Sequence, residues 1–278
     1  MAVETAIYPS HLEYGEAVES GDGLLGDEDH VCLRNGRAID SLTERRSVRR
    51  LWCLWTGTSL EGIDRLSRLE HLLLDNVRAT DLSPLAKLRH LRVLSITGAT
   101  RLRSLDWLAE LPALTQLRLH APLIDRLDAL GAQPKLRVLA VSGTVSRRTT
   151  VDSLEPIGRL ERLQRLDLLN LSSRDGSLSP LSRLSRLEHL NLAREYHWRQ
   201  FADLGGKLPR VECNWFEPWV HLHEPCESCS GRRVMLTGKR QPTLCLSCRP
   251  VRALRHLKRF EEAFDEARTR LQQSRSSK

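Results

Sequence analysis

The sequence predicts an α/β solenoid, in which short parallel strands alternate with tight helical turns, followed by a small metal-stapled finger and a helix. Three observations predict it. Leucine supplies 52 of the 278 residues. A frame of apolar positions recurs from Val48 to about Phe216, and four cysteines near the C-terminal end form two Cys-x-x-Cys pairs. Aromatic residues make up only 5% of the chain and charged residues 28%. This apolar content excludes a disordered polypeptide. No apolar run approaches the roughly 18 residues of a membrane span. The opening stretch MAVETAIYPSHLEYGEAVES has no basic n-region and no apolar h-region, so no signal peptide is expected and the protein is placed in the cytoplasm.

The frame reads L-x-x-L-x-L and starts at Val48, Leu69, Leu91, Leu114, Leu136, Leu163 and Leu187, with a decayed copy at Val211. Successive starts lie 21 to 27 residues apart. Apolar residues also recur nine, six and three places before a start: Leu82, Leu85 and Leu88 precede Leu91, and Leu178, Leu181 and Leu184 precede Leu187. The alternating end of the frame is a strand with one buried face. Spacing by three on the return leg fits a 3₁₀ or short helical segment, whose side chains at i and i+3 share one side. Each coil buries its leucines only against the next, so stability comes from stacking and the ends need caps.

This frame resembles the leucine-rich repeat family, in particular its bacterial, internalin-like class with repeats of about 22 residues. The resemblance covers about 170 residues and implies a horseshoe with parallel strands on the concave face. One departure is clear. The family's asparagine at the ninth position is replaced by Val77, Ala99, Pro122, Thr144, Leu171 and Glu195, while Asn76 and Asn170 stand one place early and Gly98 and Gly143 mark turns. An amide ladder of the usual kind is therefore not expected.

The acidic segment before the first repeat holds a degenerate match at Ile39 and Leu42, which makes roughly 28–47 a polar cap. At the other end, Phe201, Leu204 and Leu208 break the spacing, and Trp215, Phe216 and Trp219 supply bulk to close the last coil. Strand positions that point away from the core would line the concave face. Among them Trp52, His71, Leu73, Arg118, His120, Arg165, Asp167 and Trp215 are the candidate partner-binding residues. Their mixture of apolar, aromatic and charged types suits a protein or peptide better than a phosphate backbone, because interface centres favour aromatic and Arg anchors. Insertions at Val145–Thr150 and Ser172–Gly176, and the aromatic and charged stretch Glu195–Arg199, are either recognition loops or plain length variation.

Cys226, Cys229, Cys245 and Cys248 are the candidate metal ligands. Two Cys-x-x-Cys pairs in a cytosolic chain carry zinc spacing, and four thiolates leave no open position, so a structural zinc is expected. Two disulfides or loose thiols are the alternative, disfavoured in a reducing compartment. A knuckle at Cys226–Gly231, a hairpin around Thr237–Arg240 and a helix after Cys248 together resemble treble-clef zinc fingers. His221 and His223, just upstream, are potential substitute ligands but read better as surface residues. Cys32, Cys53 and Cys213 are read as packing residues.

A C-terminal helix over about 250–272 presents Val251, Leu254, Leu257, Phe260, Phe264, Ala267 and Leu271 as one apolar stripe, to cover the hairpin, the last coil or another chain. The chain thus divides into an acidic tail and cap (1–47), a solenoid (48–220), a finger (221–250) and a basic helix and tail (251–278). Residues 226–278 carry 13 Lys+Arg against 5 Asp+Glu, whereas residues 1–225 hold 30 of each sign. The basic finger and helix keep open a nucleic-acid role, although acidic residues follow at once and stacking aromatics are missing. No phosphate loop, dinucleotide turn, nucleophile elbow or His-Glu-x-x-His motif occurs in the sequence. The expectation is therefore a non-enzymatic interaction module, with a nucleic-acid-associated protein as the alternative.

Overall fold

The structure is a computed structural model that describes residues 24–25, 29–33, 47–55, 57–144 and 148–276. Most of the expected cap over 28–47, including Ile39 and Leu42, lies outside the described residues, as do Val145, Ser146 and Arg147. Strands β1 (Leu24–Leu25) and β2 (His30–Leu33) pair antiparallel. From β2 onward the main sheet is parallel. Its members are β3 (Arg50–Leu54), β4 (His71–Asp75), β5 (Val93–Ile96), β6 (Gln116–His120), β7 (Val138–Ser142), β9 (Arg165–Leu169) and β11 (His189–Leu192). Every undecayed copy of the frame thus yields one strand. The decayed copy yields only a bridge from Glu212 to His189 and a 3₁₀ turn at Asn214–Phe216.

The return legs are 3₁₀ segments, as at Ser83–Lys87, Asp106–Glu110, Asp128–Ala132 and Ser179–Arg183. Each coil closes around a column of apolar side chains: Leu82, Leu85, Leu88, Leu91 and Leu94 are at most 1% exposed. At about 1.5–3 kcal/mol per buried leucine, one coil has ample drive once a neighbour covers it. Among the described return legs, the column has one polar member. Gln133 is buried and donates from Nε2 to the Leu108 carbonyl of the preceding coil at 2.6 Å, which takes the place of the apolar contact.

The residues that stand in for the ninth-position asparagine are mostly buried and apolar, and main-chain bonds join neighbouring coils at or beside them. Val77 donates to the Thr97 carbonyl at 3.1 Å, Ala99 to His120 at 3.1 Å and Ala121 to Ser142 at 3.1 Å. Asn76 and Gly98 take the left-handed turn just before this position, at φ 57° and 64°. A Cβ on Gly98 would stand 2.9 Å from Asn76 Cα, so glycine is needed there both for conformation and for space.

The described parts of the two insertions hold strands that the local pattern does not predict. β8 (Thr149–Val151) and β10 (Leu171–Ser173) pair parallel as a separate two-stranded sheet, with Thr149, Val151, Leu171 and Ser173 buried. They extend their coils as ordered secondary structure. In Glu195–Arg199, Tyr196 and Trp198 also face inward, while His197 and Arg199 are exposed. The Tyr196 hydroxyl accepts from Ser173 N at 3.1 Å, Lys239 N donates to the Tyr196 carbonyl at 2.7 Å, and Trp198 is buried. This stretch fastens the finger to the solenoid.

In the last coil the return leg lengthens into α1 (Trp198–Lys207), which buries Trp198, Phe201, Ala202, Leu204, Gly205 and Gly206. Helix α2 (Pro250–Ser276) lies along it. Of the three positions expected for this helix, two are found together: it covers the last coil, and Ala253 near its start packs on Val234, Leu236 and Leu244 of the hairpin. The buried face is Ala253, His256, Phe260, Ala263 and Ala267, whereas Val251 and Leu254, expected in the apolar stripe, are 68% and 60% exposed. Further along α2, the Gly205–Gly206 pair lets the two helices approach closely. A Cβ on Gly206 would fall 2.3 Å from the Phe264 carbonyl and 2.9 Å from Ala267 Cβ. With the backbones that close, Ala267 fits beside Gly206 and the Phe264 ring lies over Gly205.

Candidate metal centre and concave face

The finger is a three-stranded antiparallel sheet, β12 (Trp219–His221), β13 (Arg233–Leu236) and β14 (Thr243–Cys245), leading through Cys248 into α2. Its own core is small: Val234, Leu236, Leu244 and Ala253, with Trp219 and Leu246 packed against them. The hairpin turn is tight at Gly238, which has φ 107° and a Cβ position 2.6 Å from Trp198 N.

The four sulfurs of Cys226, Cys229, Cys245 and Cys248 lie within 4.8 Å of one another. Cys226 and Cys248 stand 3.9 Å apart, Cys229 and Cys245 3.5 Å, and Cys229 and Cys248 3.2 Å. A zinc ion with Zn–S bonds of about 2.3 Å sets tetrahedral sulfurs about 3.8 Å apart, so the donors fit it in number, type and spacing. The knuckle needs Gly231, whose Cβ would meet Ser247 Oγ at 2.6 Å and Cys229 Sγ at 3.1 Å. The Ser228 amide donates to the Cys226 sulfur and lowers its pKa. The Cys248 amide does the same for Cys245, bringing it to about 6. Amides aimed at the first sulfur of each pair favour the thiolate, the form a metal binds. Hydrogen bonding with the sulfurs of Cys229, Cys245 and Cys226 pushes Cys248 up to about 12, because four adjacent thiols cannot all ionise without a cation among them. His221 and His223 are exposed and outside this cluster. Burial pushes Cys53 to about 12 and Cys213 to about 11, which keeps both thiols neutral.

On the concave face the sheet register aligns Trp52, Leu73, Ser95, Arg118, Ala140, Asp167 and Asn191 across neighbouring strands. Leu73 and Asp167 are buried, while Trp52, His71, Arg118, His120 and Arg165 are half-buried. Several are fixed in place. Trp52 Nε1 donates to Asp75 Oδ2 at 2.6 Å, and Thr97 Oγ1 donates to Asp75 Oδ1 at 2.8 Å. Arg165 Nε donates to Asp167 Oδ2 at 3.1 Å, and His120 Nδ1 accepts from Gly98 N at 3.3 Å. Burial, then the Arg50 charge, lowers the pKa of His71. Trp215 does not join this face. It sits in the 3₁₀ turn, donates from Nε1 to the Leu192 carbonyl at 2.8 Å and packs on Phe201, so it closes the last coil.

Asp75 and Thr97, which hold Trp52, are legible only as facing positions of neighbouring repeats, and sequence reasoning did not link them. It also missed His256. This side chain is buried among Trp198 and Phe260, bonded on one ring nitrogen to the Pro218 carbonyl, with Nε2 unpartnered. Burial lowers its pKa.

No protein-family description and no curated protein matches this chain. Solved structures do. Internalin C2 from Listeria monocytogenes is 24% identical, with a TM-score of 0.54, over 64% of this chain and 80% of that one. The plant peptide hormone receptor RGFR1, solved in complex with RGF2, is 18% identical, with a TM-score of 0.52, over 66% of this chain and 30% of the receptor. Identities this low speak for the fold, and it is the fold that the repeat frame, the one-strand coils and the 3₁₀ return legs establish independently: the chain folds as a leucine-rich-repeat solenoid.

Proposed function

We propose that this protein is a non-enzymatic interaction module of the cytoplasm, which binds a protein or peptide on its concave face and is completed by a structural zinc finger. The observation that carries the reading is the fixed, mixed surface across β3–β9. Trp52 is braced by Asp75, Arg165 is braced by Asp167, and Arg118 stands between them. Pre-fixed Trp and Arg side chains lose little freedom when a partner arrives, and such residues dominate interface energies.

A cleft of about 230 Å³ between two coils is lined by Arg103, Ser104, Asp106, Asp125, Arg126 and Asp128. Its groups serve one another: Arg126 holds Asp128 at 3.0 Å and Ser104 holds Asp106 at 2.7 Å, which supports reading them as surface ion pairing, not an acid–base pair. In the finger, four thiolates fill a tetrahedral shell and leave no place for water, so zinc would hold the fold together and do no chemistry there.

The test is capture with the full chain, followed by calorimetry of each captured protein against Trp52→Ala, Arg118→Ala and Asp167→Ala. Loss of about 2 kcal/mol at Trp52 or Arg118 is expected. A stoichiometric partner whose affinity none of the three substitutions changes would refute the concave-face reading. Metal analysis of protein purified without chelator should give about one zinc per chain, and less than about half an equivalent would count against the finger.

A further inference from the structure

The even charge balance of residues 1–225 conceals a separation. The first 46 residues carry 10 Asp+Glu against 4 Lys+Arg, so residues 47–225 hold 26 basic residues against 20 acidic ones. In the later coils the surplus collects on one edge of the solenoid, where each 3₁₀ segment turns into the next strand. Lys135, Arg162, Arg186 and Arg210 occupy equivalent places in four consecutive turns, each directly before the frame residue Leu136, Leu163, Leu187 or Val211. Arg137 and Arg159 flank them. The turns are stacked by main-chain bonds: Gln164 N donates to the Arg137 carbonyl, Glu188 N to Gln164 and Glu212 N to Glu188, each at 2.8 Å. At the usual strand spacing of about 4.8 Å, four turns set a row of cations about 14 Å long.

Two properties distinguish this row. All six side chains are exposed, and none forms an ion pair or side-chain hydrogen bond among the described residues. On the opposite edge, Arg126, Arg148 and Arg174 are held by carboxylates at 3.0, 2.7 and 2.8 Å. Glu161 and Glu188 share the basic edge without pairing to the row, and Glu212 is engaged by His189 at 2.9 Å. A stiff frame therefore holds unpaired like charges against their mutual repulsion.

We propose that this edge docks the phosphate backbone of a nucleic-acid duplex. Guanidinium groups bind phosphate bidentately, and a row of them reads backbone, not sequence. The row contains no aromatic side chain, so nothing there stacks the bases of a single strand. Among the described residues, the exposed large apolar ones, Leu54, Leu169, Val251 and Leu254, lie at strand ends on the opposite edge and on α2, so none of these offers a bilayer an anchor beside the cations. The site is separate from the concave strands and from the finger, and it stands independently of the partner assigned to either.

The test is fluorescence anisotropy of the full-length protein with random-sequence duplex DNA, duplex RNA and phosphatidylserine vesicles, at salt from about 50 to about 200 mM. We expect binding to at least one duplex, with affinity falling steeply as salt rises. Joint substitution Lys135→Ala, Arg162→Ala, Arg186→Ala and Arg210→Ala should lower the slope of log K against log salt by about 3 to 4. It should also weaken binding at least about 100-fold. Arg162→Lys, Arg186→Lys and Arg210→Lys together should keep the slope, which shows that charge and not misfolding is read. The set Arg101→Ala, Arg103→Ala, Arg126→Ala and Arg174→Ala, on the opposite edge, should change little. No duplex binding at low salt, or a slope the row variant leaves intact, overturns the proposal. So does loss confined to Arg232→Ala, Arg240→Ala, Arg249→Ala and Arg252→Ala in the finger and helix, or binding to vesicles without binding to either duplex.

Discussion

The solenoid and the finger both order short peptide segments, but from different sources of energy. A coil of the solenoid brings five or six fully buried apolar side chains, and its neighbour completes the interior. The finger brings Val234, Leu236 and Leu244, together with Ala253 of the helix, a core too small to offset the ordering of its own loops. Its cysteines stand where a metal would supply the difference. Stacked coils share their stability by contact with neighbours, whereas a metal-held module gains or loses its stability in one step.

Removing the proposed zinc should therefore produce the largest effect in the molecule, and a local one. With chelator, or in Cys245→Ser, amide hydrogen exchange over 219–249 should rise to that of an open chain, since structural zinc supplies apparent free energies of about 10–16 kcal/mol to such modules. Strands β4–β9 should stay protected. A finger that remains protected without metal would show that its small core suffices and would erase the distinction.

Leu117→Ala tests the other side. The residue is 1% exposed in the middle of the stack, and truncation should cost about 2–5 kcal/mol in urea unfolding. A cost under about 1 kcal/mol would mean that the coils repack freely and do not depend on close stacking.

The seam between the two regions comes next. Gly206→Ala should destabilise by about 1–3 kcal/mol, because the new methyl has no room beside the Phe264 carbonyl. Elsewhere in a helix the same change adds about 1 kcal/mol of stability, so the sign alone reports the close approach of α1 and α2. Faster exchange confined to Pro250–Ser276 would place the damage at the seam.

The smallest effect is that of pH. Burial holds His256 below its ordinary value of 6.5, so the folded state prefers the neutral ring. Its contribution is complete above pH 6.5 and is lost as pH falls through the lowered folded value. His71 shifts in the same direction and should act with the same sign. Docking of α2 should weaken in mild acid, and His256→Phe should flatten that dependence. A helix that docks equally well from pH 7 to pH 5 in the unaltered protein would contradict this account of the buried ring.

Much of this architecture was legible in the sequence because leucine periodicity is a local property. Each undecayed copy of the frame became a strand at its own position, and the cysteine spacing brought four sulfurs together. Residues that answer to distant neighbours depart from their local pattern. Trp215 sits at a strand position of the decayed frame, yet the last coil has no further strand to pair with, and the indole turned inward onto Phe201. Val251 and Leu254 fit an apolar period but lost the buried face to Ala253, which packs on the finger core, and to His256, which packs on Trp198. The insertions after β7 and β9 looked like separate loops, and only their stacking on adjacent coils let β8 and β10 pair.

By itself the sequence determined the period, the inward face of every coil and the paired spacing of the four cysteines, since each follows from side-chain type at a fixed spacing along the chain. Tertiary structure alone decided how α2 is rotated on α1, which aromatic groups anchor the finger, and that cations distant in sequence form a single unpaired row. Those outcomes depend on which surfaces meet when coils stack. Two residues about 24 positions apart become neighbours across one strand spacing, and no local pattern records whether a counter-charge will be waiting there.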